Sequence, residues 1–462
     1  MPIRERLALH MKVALPKDRP LLRDHRRIAS CDFPFRGRVQ PRPRTFSKIV
    51  GSLLLMVLFG VSVSGSGASF ETAAPSEAAT ALQDKIARTE WGKIRGANFI
   101  PSYASNTYEI WRNYNHDIFD NEVKLAQEVG YNSVRLWLNY AAFAELRDEM
   151  VDRVDDAMHI LARHHLHAVV VLFDSCGIRP QPNAKWMPAS EAFDEFQKAS
   201  RFTAAQKAFM AALFKNYVHG FGAHTLVLVG PDTPFMTLLW QNWQSTPGND
   251  RLGPDWYPQL EQYVDAIFTR LKDNPNILVW DLMNEPEFAS EGFLGPDLLI
   301  TPEMEKTRDA FLQHFHEHIK KKFPSEVMGI GWATLENAKK YSDWADVVTF
   351  HIYGDAGQLN AAIRNAREFK EKSNKQILIT ETLANWDFGK PDFGAMATDE
   401  AQLAHYRDVL PVLVQSPIGW IGWGMVISRD FDPFTDIFYP NGIPRPAALY
   451  LERTLKTEAQ AP

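Results

Sequence analysis

Ile277-Leu278-Val279-Trp280-Asp281-Leu282-Met283-Asn284-Glu285-Pro286 reads as a short apolar strand that stops at a polar pair, with Pro286 unable to extend the hydrogen-bond ladder. A carboxylate at the C-terminal tip of a buried parallel strand occupies the place where a (β/α)8 barrel keeps its chemistry. Nearly a hundred residues on, Lys375-Gln376-Ile377-Leu378-Ile379-Thr380-Glu381 repeats the design, an apolar run followed by one glutamate. Two such tips suggest a carboxylate pair of the kind that cuts a glycosidic bond. One glutamate alone would ordinarily be a solvated strand-end acid, because charged side chains are rarely buried. The Asn-Glu-Pro context and the second tip argue against that here.

Working outward, strands and helices alternate from Trp91. Strands are expected over 94–99, 132–138, 167–173, from 277, and over 327–331, 346–351, 376–381 and 418–424. Helical patterns fall near 117–129, 148–164, 256–273, 302–322, 357–372, 399–414 and 443–454. The strands are continuous apolar runs rather than alternating ones, as buried parallel strands are. Eight of them, mostly separated by helices, define an α/β chain with a closed (β/α)8 TIM barrel over 91–462. Residues 174–254 break the rhythm as a long insertion after the third strand, with 191–218 helical in pattern and 220–240 apolar. Such a block is expected either to wall a cleft on the C-terminal face or to pack structurally.

Upstream, residues 1–48 carry thirteen Lys/Arg and four Asp/Glu, a net of +9, and residues 49–68 carry none. For the chain to total −6, everything after position 68 must carry −15. An acidic body argues against nucleic acid as a partner and suits a neutral substrate. Residues 49–63 form an uncharged apolar block behind Arg42, Arg44 and Lys48, and small residues run to Ala68. That is the layout of a secretory signal, so 1–68 reads as a basic extension plus signal peptide, cleaved after Ala68. The mature chain would then be secreted or periplasmic, without a membrane unless the signal stays as an anchor. Residues 69–90, rich in Ala, Ser and Thr, read as a linker. Cys31 and Cys176 are the only cysteines, and cleavage would leave Cys176 alone, so no internal disulfide is expected. Thirteen tryptophans exceed what packing needs and suit a sugar cleft, although Trp also serves cores.

Trp280 to Pro286, taken with Ile379-Thr380-Glu381, resembles the cellulase-like glycoside hydrolases of family five and their clan-A relatives. The likeness extends to Val134-Arg135 on the second strand, His351-Ile352-Tyr353 after the sixth and Trp423 on the eighth, over roughly residues 91–454. Asn98 to Tyr103 and Leu172 to Gly177 are similar to secreted bacterial members labelled 1,4-β-xylanase or cellulase-family glycosyl hydrolase. The resemblance implies Glu285 as general acid/base and Glu381 as nucleophile of a retaining hydrolase. It implies Arg135 holding Glu381 ionised, Asn284 on the sugar 2-hydroxyl, His351 and Tyr353 around the scissile bond, and Trp423 as the stacking platform. Trp420 competes for that last role. The implied substrate is a β-linked polysaccharide, a β-1,4-glucan, xylan or mannan, or its oligosaccharides. An exo-acting β-glycosidase and an inactive carbohydrate-binding barrel are the alternatives.

Asp281, inside the strand, is expected to be structural, and Glu287, past the proline, reaches either substrate or nothing. Asp174-Ser175-Cys176 departs from the family, many of whose members carry a histidine just past the third strand. Asp174 is expected to meet a sugar hydroxyl or to be structural, and Cys176 has no evident base to make it a nucleophile. No His-Glu-x-x-His, cysteine-pair or EF-hand spacing appears and no Gly-rich phosphate loop, so neither metal nor cofactor is expected.

Overall fold

The computed structural model describes residues 77–104, 106–176, 185–200, 226–229, 246–248, 251–287, 302–384, 398–423, 435–439 and 441–459, with 204, 207 and 211 isolated among the rest. The signal and extension expected over 1–68, the first part of the linker and most of the 174–254 block lie outside them. Among the described residues no helix is long and apolar enough to cross a membrane.

Eight strands form one parallel sheet: β1 (Arg95–Asn98), β2 (Ser133–Trp137), β3 (His167–Asp174), β4 (Ile277–Asn284), β5 (Met328–Gly331), β6 (Val347–His351), β7 (Gln376–Glu381) and β8 (Gly419–Gly422). Their lateral order runs β5-β4-β3-β2-β1-β8-β7-β6. A parallel bridge between Trp332 and Phe350 joins the two ends, past β5 and within β6. The expected (β/α)8 barrel is therefore observed, and nearly every strand residue is buried because helices cover the outside.

The described helices that follow the strands include α1 (His116–Val129), α2 (Asp148–Arg163), α3 (Tyr257–Leu271), α4 (Pro302–Lys322), α5 (Leu335–Lys340), α6 (Ala356–Ser373), α7 (Asp399–Val414) and α8 (Pro446–Ala459). Their ends follow from local chemistry. Asn115 caps α1 by accepting from the Ile118 amide, and Gly130 ends it at φ 107°, a left-handed position that glycine takes without strain. A capping box of Asp355 and Gln358 opens α6, and Asn374 at φ 57° closes it. The apolar faces of α1 to α4 bury residues such as Phe119, Leu161, Phe268 and Phe315 against the sheet. Burial of each such side chain stabilises by about 1.5–3 kcal/mol.

Three features differ from expectation. The segment read as a linker contains a helix, Glu77–Arg88. Its Leu82 and Ile86, one turn apart, pack with Trp91, Ile94, Leu278 and Val327 at the N-terminal end of the barrel. Short helices Thr107–Arg112 and Tyr140–Leu146, and α5, were hidden because six or seven residues show too little periodicity. Within the 174–254 block, Lys185–Pro188 pairs antiparallel with Leu226–Val229, and Ala189–Lys198 is helical.

Glu122 is an acid inside this scaffold. It lies buried on α1, where the Ser102 amide donates to both its oxygens at 3.0 and 3.3 Å. Burial pushes its carboxyl up from 4.5 to about 8, with Asp436 reinforcing the rise and the Ser102 bonds opposing it. The folded chain therefore keeps a proton that the unfolded chain releases. This stabilisation is complete below the ordinary carboxylate range and is lost as pH rises toward 8. Glu122→Gln is expected to raise the urea midpoint relative to the parent much more at about pH 8 than at about pH 5. An equal difference at both pH values would overturn the assignment.

Candidate active site

The barrel brings the expected residues together through lateral pairing of distant strands. Asn98 on β1 faces Arg135 on β2. Asp174 on β3 faces Asn284 on β4, and His351 on β6 faces Glu381 on β7. Register shifts fall at the tips, between Asp281 and Asn284 and between Phe350 and His351. Irregularities of this kind re-aim side chains at barrel rims. Glu285 itself sits at φ 43°, a conformation that strains a non-glycine residue by about 1–3 kcal/mol. The turn is held by its amide donating to the Gly331 carbonyl at 2.7 Å.

Arg135 is the hub. Fully buried, it uses Nε and Nη2 on Asp281 Oδ2 (3.0 and 2.8 Å) and Nη2 on Asn284 Oδ1 (2.7 Å). Nη1 reaches Asn98 Oδ1 (3.2 Å) and Glu381 Oε1 (2.6 Å). Those contacts engage all five guanidinium N–H protons. Asp281, whose other oxygen accepts from the Gly331 amide at 2.7 Å, is the structural ion-pair partner the sequence suggested. Gly331 has no room for more: a Cβ there would stand 2.7 Å from both Arg135 Nη2 and Asp281 Oδ2. Asn98 ties three strands together by also donating to the Thr380 and Gly422 carbonyls at 3.1 Å each.

The two glutamates differ in their partners. Glu381 Oε1 accepts from Arg135 and Oε2 from the Tyr353 hydroxyl at 2.6 Å. Glu285 Oε1 meets His351 Nδ1 at 2.8 Å, and Oε2 meets the Cys176 thiol at 3.0 Å. His351 Nδ1 is also 3.3 Å from Glu381 Oε2, so the ring stands between the two acids. Burial holds His351 down at about 4, leaving it neutral at neutral pH. Nδ1 then carries the ring proton, since it faces two carboxylates while Nε2 has no partner among the described residues.

Burial raises both carboxyls. At Glu285 the Cys176 bond and the Arg135 charge oppose the rise. At Glu381 His351, Arg135 and Tyr353 oppose it, while Glu285 adds to it. The donors on Glu381 include a guanidinium and a phenol, whereas Glu285 has a thiol and a neutral imidazole. A proton shared between the two therefore settles on Glu285. An oxygen of each glutamate and a His351 nitrogen all lie within 4.8 Å of one another, a donor set wide enough for a cation. Arg135 already supplies the positive charge at Glu381, which disfavours a second cation beside it.

The remaining candidates sort by position. Trp423 lies just past β8, edge-on to Trp137 at 5.2 Å, and Trp137 in turn lies under the Arg135 guanidinium. Trp420 is fully buried near Arg95 and Tyr131 and serves the core. Glu287 accepts from the Ala333 and Thr334 amides and from Asn337, so it anchors the loop to the start of α5. Asp174 Oδ1 accepts from Asn284 Nδ2 and from the Cys176 amide, a structural role. The contact between Cys176 and Glu285 and the bracing by Asn98 were absent from the sequence reading. Only the departure at Asp174-Ser175-Cys176 hinted at the first.

The chain matches no protein-family model and no curated protein. Among solved structures it is similar to the GH5_18 protein of Streptomyces cattleya in complex with GlcNAc, with a TM-score of 0.50 and 14% identity over 80% of this chain and 81% of that one. An exo-β-1,4-mannosidase from Opitutaceae bacterium strain TAV5 aligns with a TM-score of 0.47 and 16% identity over 79% of this chain and 60% of that one, so this chain spans less than two thirds of its length. An endo-β-1,4-mannanase from Thermotoga petrophila gives 0.45 and 14%, over 81% and 78%. At these identities the likeness to the Streptomyces cattleya protein establishes the class of fold, a (β/α)8 barrel.

Proposed function

We propose that this chain is a retaining β-glycoside hydrolase of the cellulase-like, clan-A kind, with Glu285 as acid/base and Glu381 as nucleophile. The observation that carries the reading is the unequal pair: two strand-tip carboxyls, Glu381 buried and Glu285 half-buried, with oxygens within 4.8 Å, one held by Arg135 and Tyr353, the other free of any cation contact among the described residues. A single atom, His351 Nδ1, reaches an oxygen of each acid at 2.8 and 3.3 Å, a close pairing that suits a retaining pair at about 5–5.5 Å better than an inverting pair held about 6.5–9.5 Å apart to admit a water. Glu381 attacks the anomeric carbon as Glu285 gives its proton to the departing glycosidic oxygen. The C–O bond breaks and a glycosyl ester forms on Glu381. Glu285, now ionised, takes a proton from water as that water attacks the anomeric carbon, the bond from that carbon to Glu381 breaks, and Glu381 leaves as carboxylate. Asn284, anchored through its oxygen to Arg135 and through its amide to Asp174, keeps its second N–H for the 2-hydroxyl. His351 lines the bond being cleaved, and Trp423 offers a ring face to the sugar.

The substrate is a β-linked glucan, xylan or mannan, or oligosaccharides of these. Product analysis on cellulose, xylan, glucomannan and mixed-linkage glucan tests this, with Glu285→Gln alongside. The variant is expected to lose roughly 10²- to 10⁴-fold in kcat on a natural substrate. Turnover requires Glu381 ionised and Glu285 protonated, so the profile is bell-shaped, and the alkaline limb marks Glu285. Burial places that limb above the ordinary carboxylate range. Undiminished turnover by Glu285→Gln, or products of inverted configuration, would overturn the proposal.

A further inference from the structure

The Asp174-Ser175-Cys176 segment at the tip of β3 clasps the Asn284-Glu285 turn at several points. The Ser175 amide donates to the Asn284 carbonyl at 3.2 Å, and the Ser175 hydroxyl reaches the backbone oxygens of both Asn284 and Glu285. Asp174 Oδ1 accepts from the Cys176 amide (2.8 Å) and from Asn284 Nδ2 (3.0 Å). The Cys176 thiol is thereby fixed relative to Glu285, buried, with Sγ 3.0 Å from Oε2.

We propose that Cys176 is a positioning residue for the acid/base: its S–H donates to Glu285 Oε2, fixes the carboxyl rotamer against His351, and sets how readily Glu285 binds and releases its proton. The inference rests on the reading of Glu285 as acid/base and deepens it.

The chemistry of the donor is what suits the task. A cationic partner would hold Glu285 permanently ionised and unable to protonate a leaving group, as Arg135 does for Glu381. A hydroxyl would stabilise the carboxylate more than a thiol, because S–H is the weaker donor. A thiol orients the group while leaving its proton affinity high. Burial and the surrounding carboxylates of Glu285, Asp174 and Glu381 push the Cys176 thiol well up, so it stays protonated. It therefore acts as a constant donor and not as a nucleophile. The opposite oxygen of Glu285 faces neutral His351, so the two contacts together pin the carboxyl from both sides without adding charge.

The test uses the full-length chain carrying Cys31→Ser, so that Cys176 is its only thiol. The pH dependence of kcat/KM is compared across the parent, Cys176→Ser and Cys176→Ala. The serine variant is expected to move the alkaline limb to lower pH and the alanine variant to move it upward, each by roughly half to one pH unit. A merely structural role would lower activity at every pH and leave the limb in place, and that result overturns the inference. Independently of turnover, the infrared S–H stretch is expected at higher frequency in Glu285→Ala than in the parent, because the acceptor is gone. An unchanged stretch also overturns it. If the parent turns over no substrate while the stretch still shifts, the hydrolase reading fails and the thiol–carboxyl contact stands.

Discussion

Glu381→Ala is expected to lower kcat by on the order of 10⁶-fold, the scale seen when a covalent nucleophile is deleted. The position offers no substitute. The neighbouring carboxyl, Glu285, is already engaged by His351 and Cys176. The shortened side chain leaves a small void beside Arg135 and Tyr353, whose donors then point at empty space. A small anion such as azide fits that chemistry and is expected to restore turnover in part. It would attack the anomeric carbon from the face Glu381 used, giving a glycosyl azide of inverted configuration. The checks are kcat on the substrate found active with the parent, and the configuration of the product. Activity that survives Glu381→Ala undiminished would remove Glu381 from the nucleophile's role.

Arg135→Ala carries the largest expected loss of stability, about 3–5 kcal/mol, because it leaves buried carboxylates without their cation. Domains are stable by only about 5–15 kcal/mol in total, so the variant is expected to be marginal or unfolded. Both Asp281 and Glu381 depend on this one guanidinium, and Asp281 is fully buried. Arg135→Lys separates charge from geometry. It keeps the cation but brings three N–H donors where five are engaged, so acceptors among Asp281, Asn284, Asn98 and Glu381 go short. The lysine variant is expected to fold with a lowered urea midpoint and to lose turnover more than stability. The paired measurements are urea midpoint and kcat/KM. An unchanged midpoint in Arg135→Ala would contradict the hub role.

Much of the site was legible along the chain. Apolar runs ending in Glu285 and Glu381 are local patterns, and the resemblance of Arg135, Asn284, His351, Tyr353 and Trp423 to one family rests on the order of short motifs. The barrel brings Arg135, Asn284, His351, Tyr353 and both glutamates into direct contact with one another, and the expected bond from Tyr353 to Glu381 is present. What escaped reading was partnership. Glu287 lies two residues from Glu285 yet anchors α5, and Cys176, which showed no chemistry in sequence, touches Glu285 itself. The Glu77–Arg88 helix was masked by an Ala- and Thr-rich composition, although Leu82 and Ile86 already stood one turn apart.

The sequence by itself determined the alternation of buried strands and covering helices, and with it the placing of both glutamates at strand tips. These depend on periodicity and on punctuation such as Pro286, which act over a few residues. Only the tertiary structure decided which tip faces which. Arg135 and Glu381 are 246 positions apart, and their contact follows from lateral strand order, from register, and from the irregularities beside Asn284 and His351. A shift of one residue in any strand turns its side chains to the other face. The partners of each carboxyl, and so the division of labour between them, are consequently set by packing across the whole barrel.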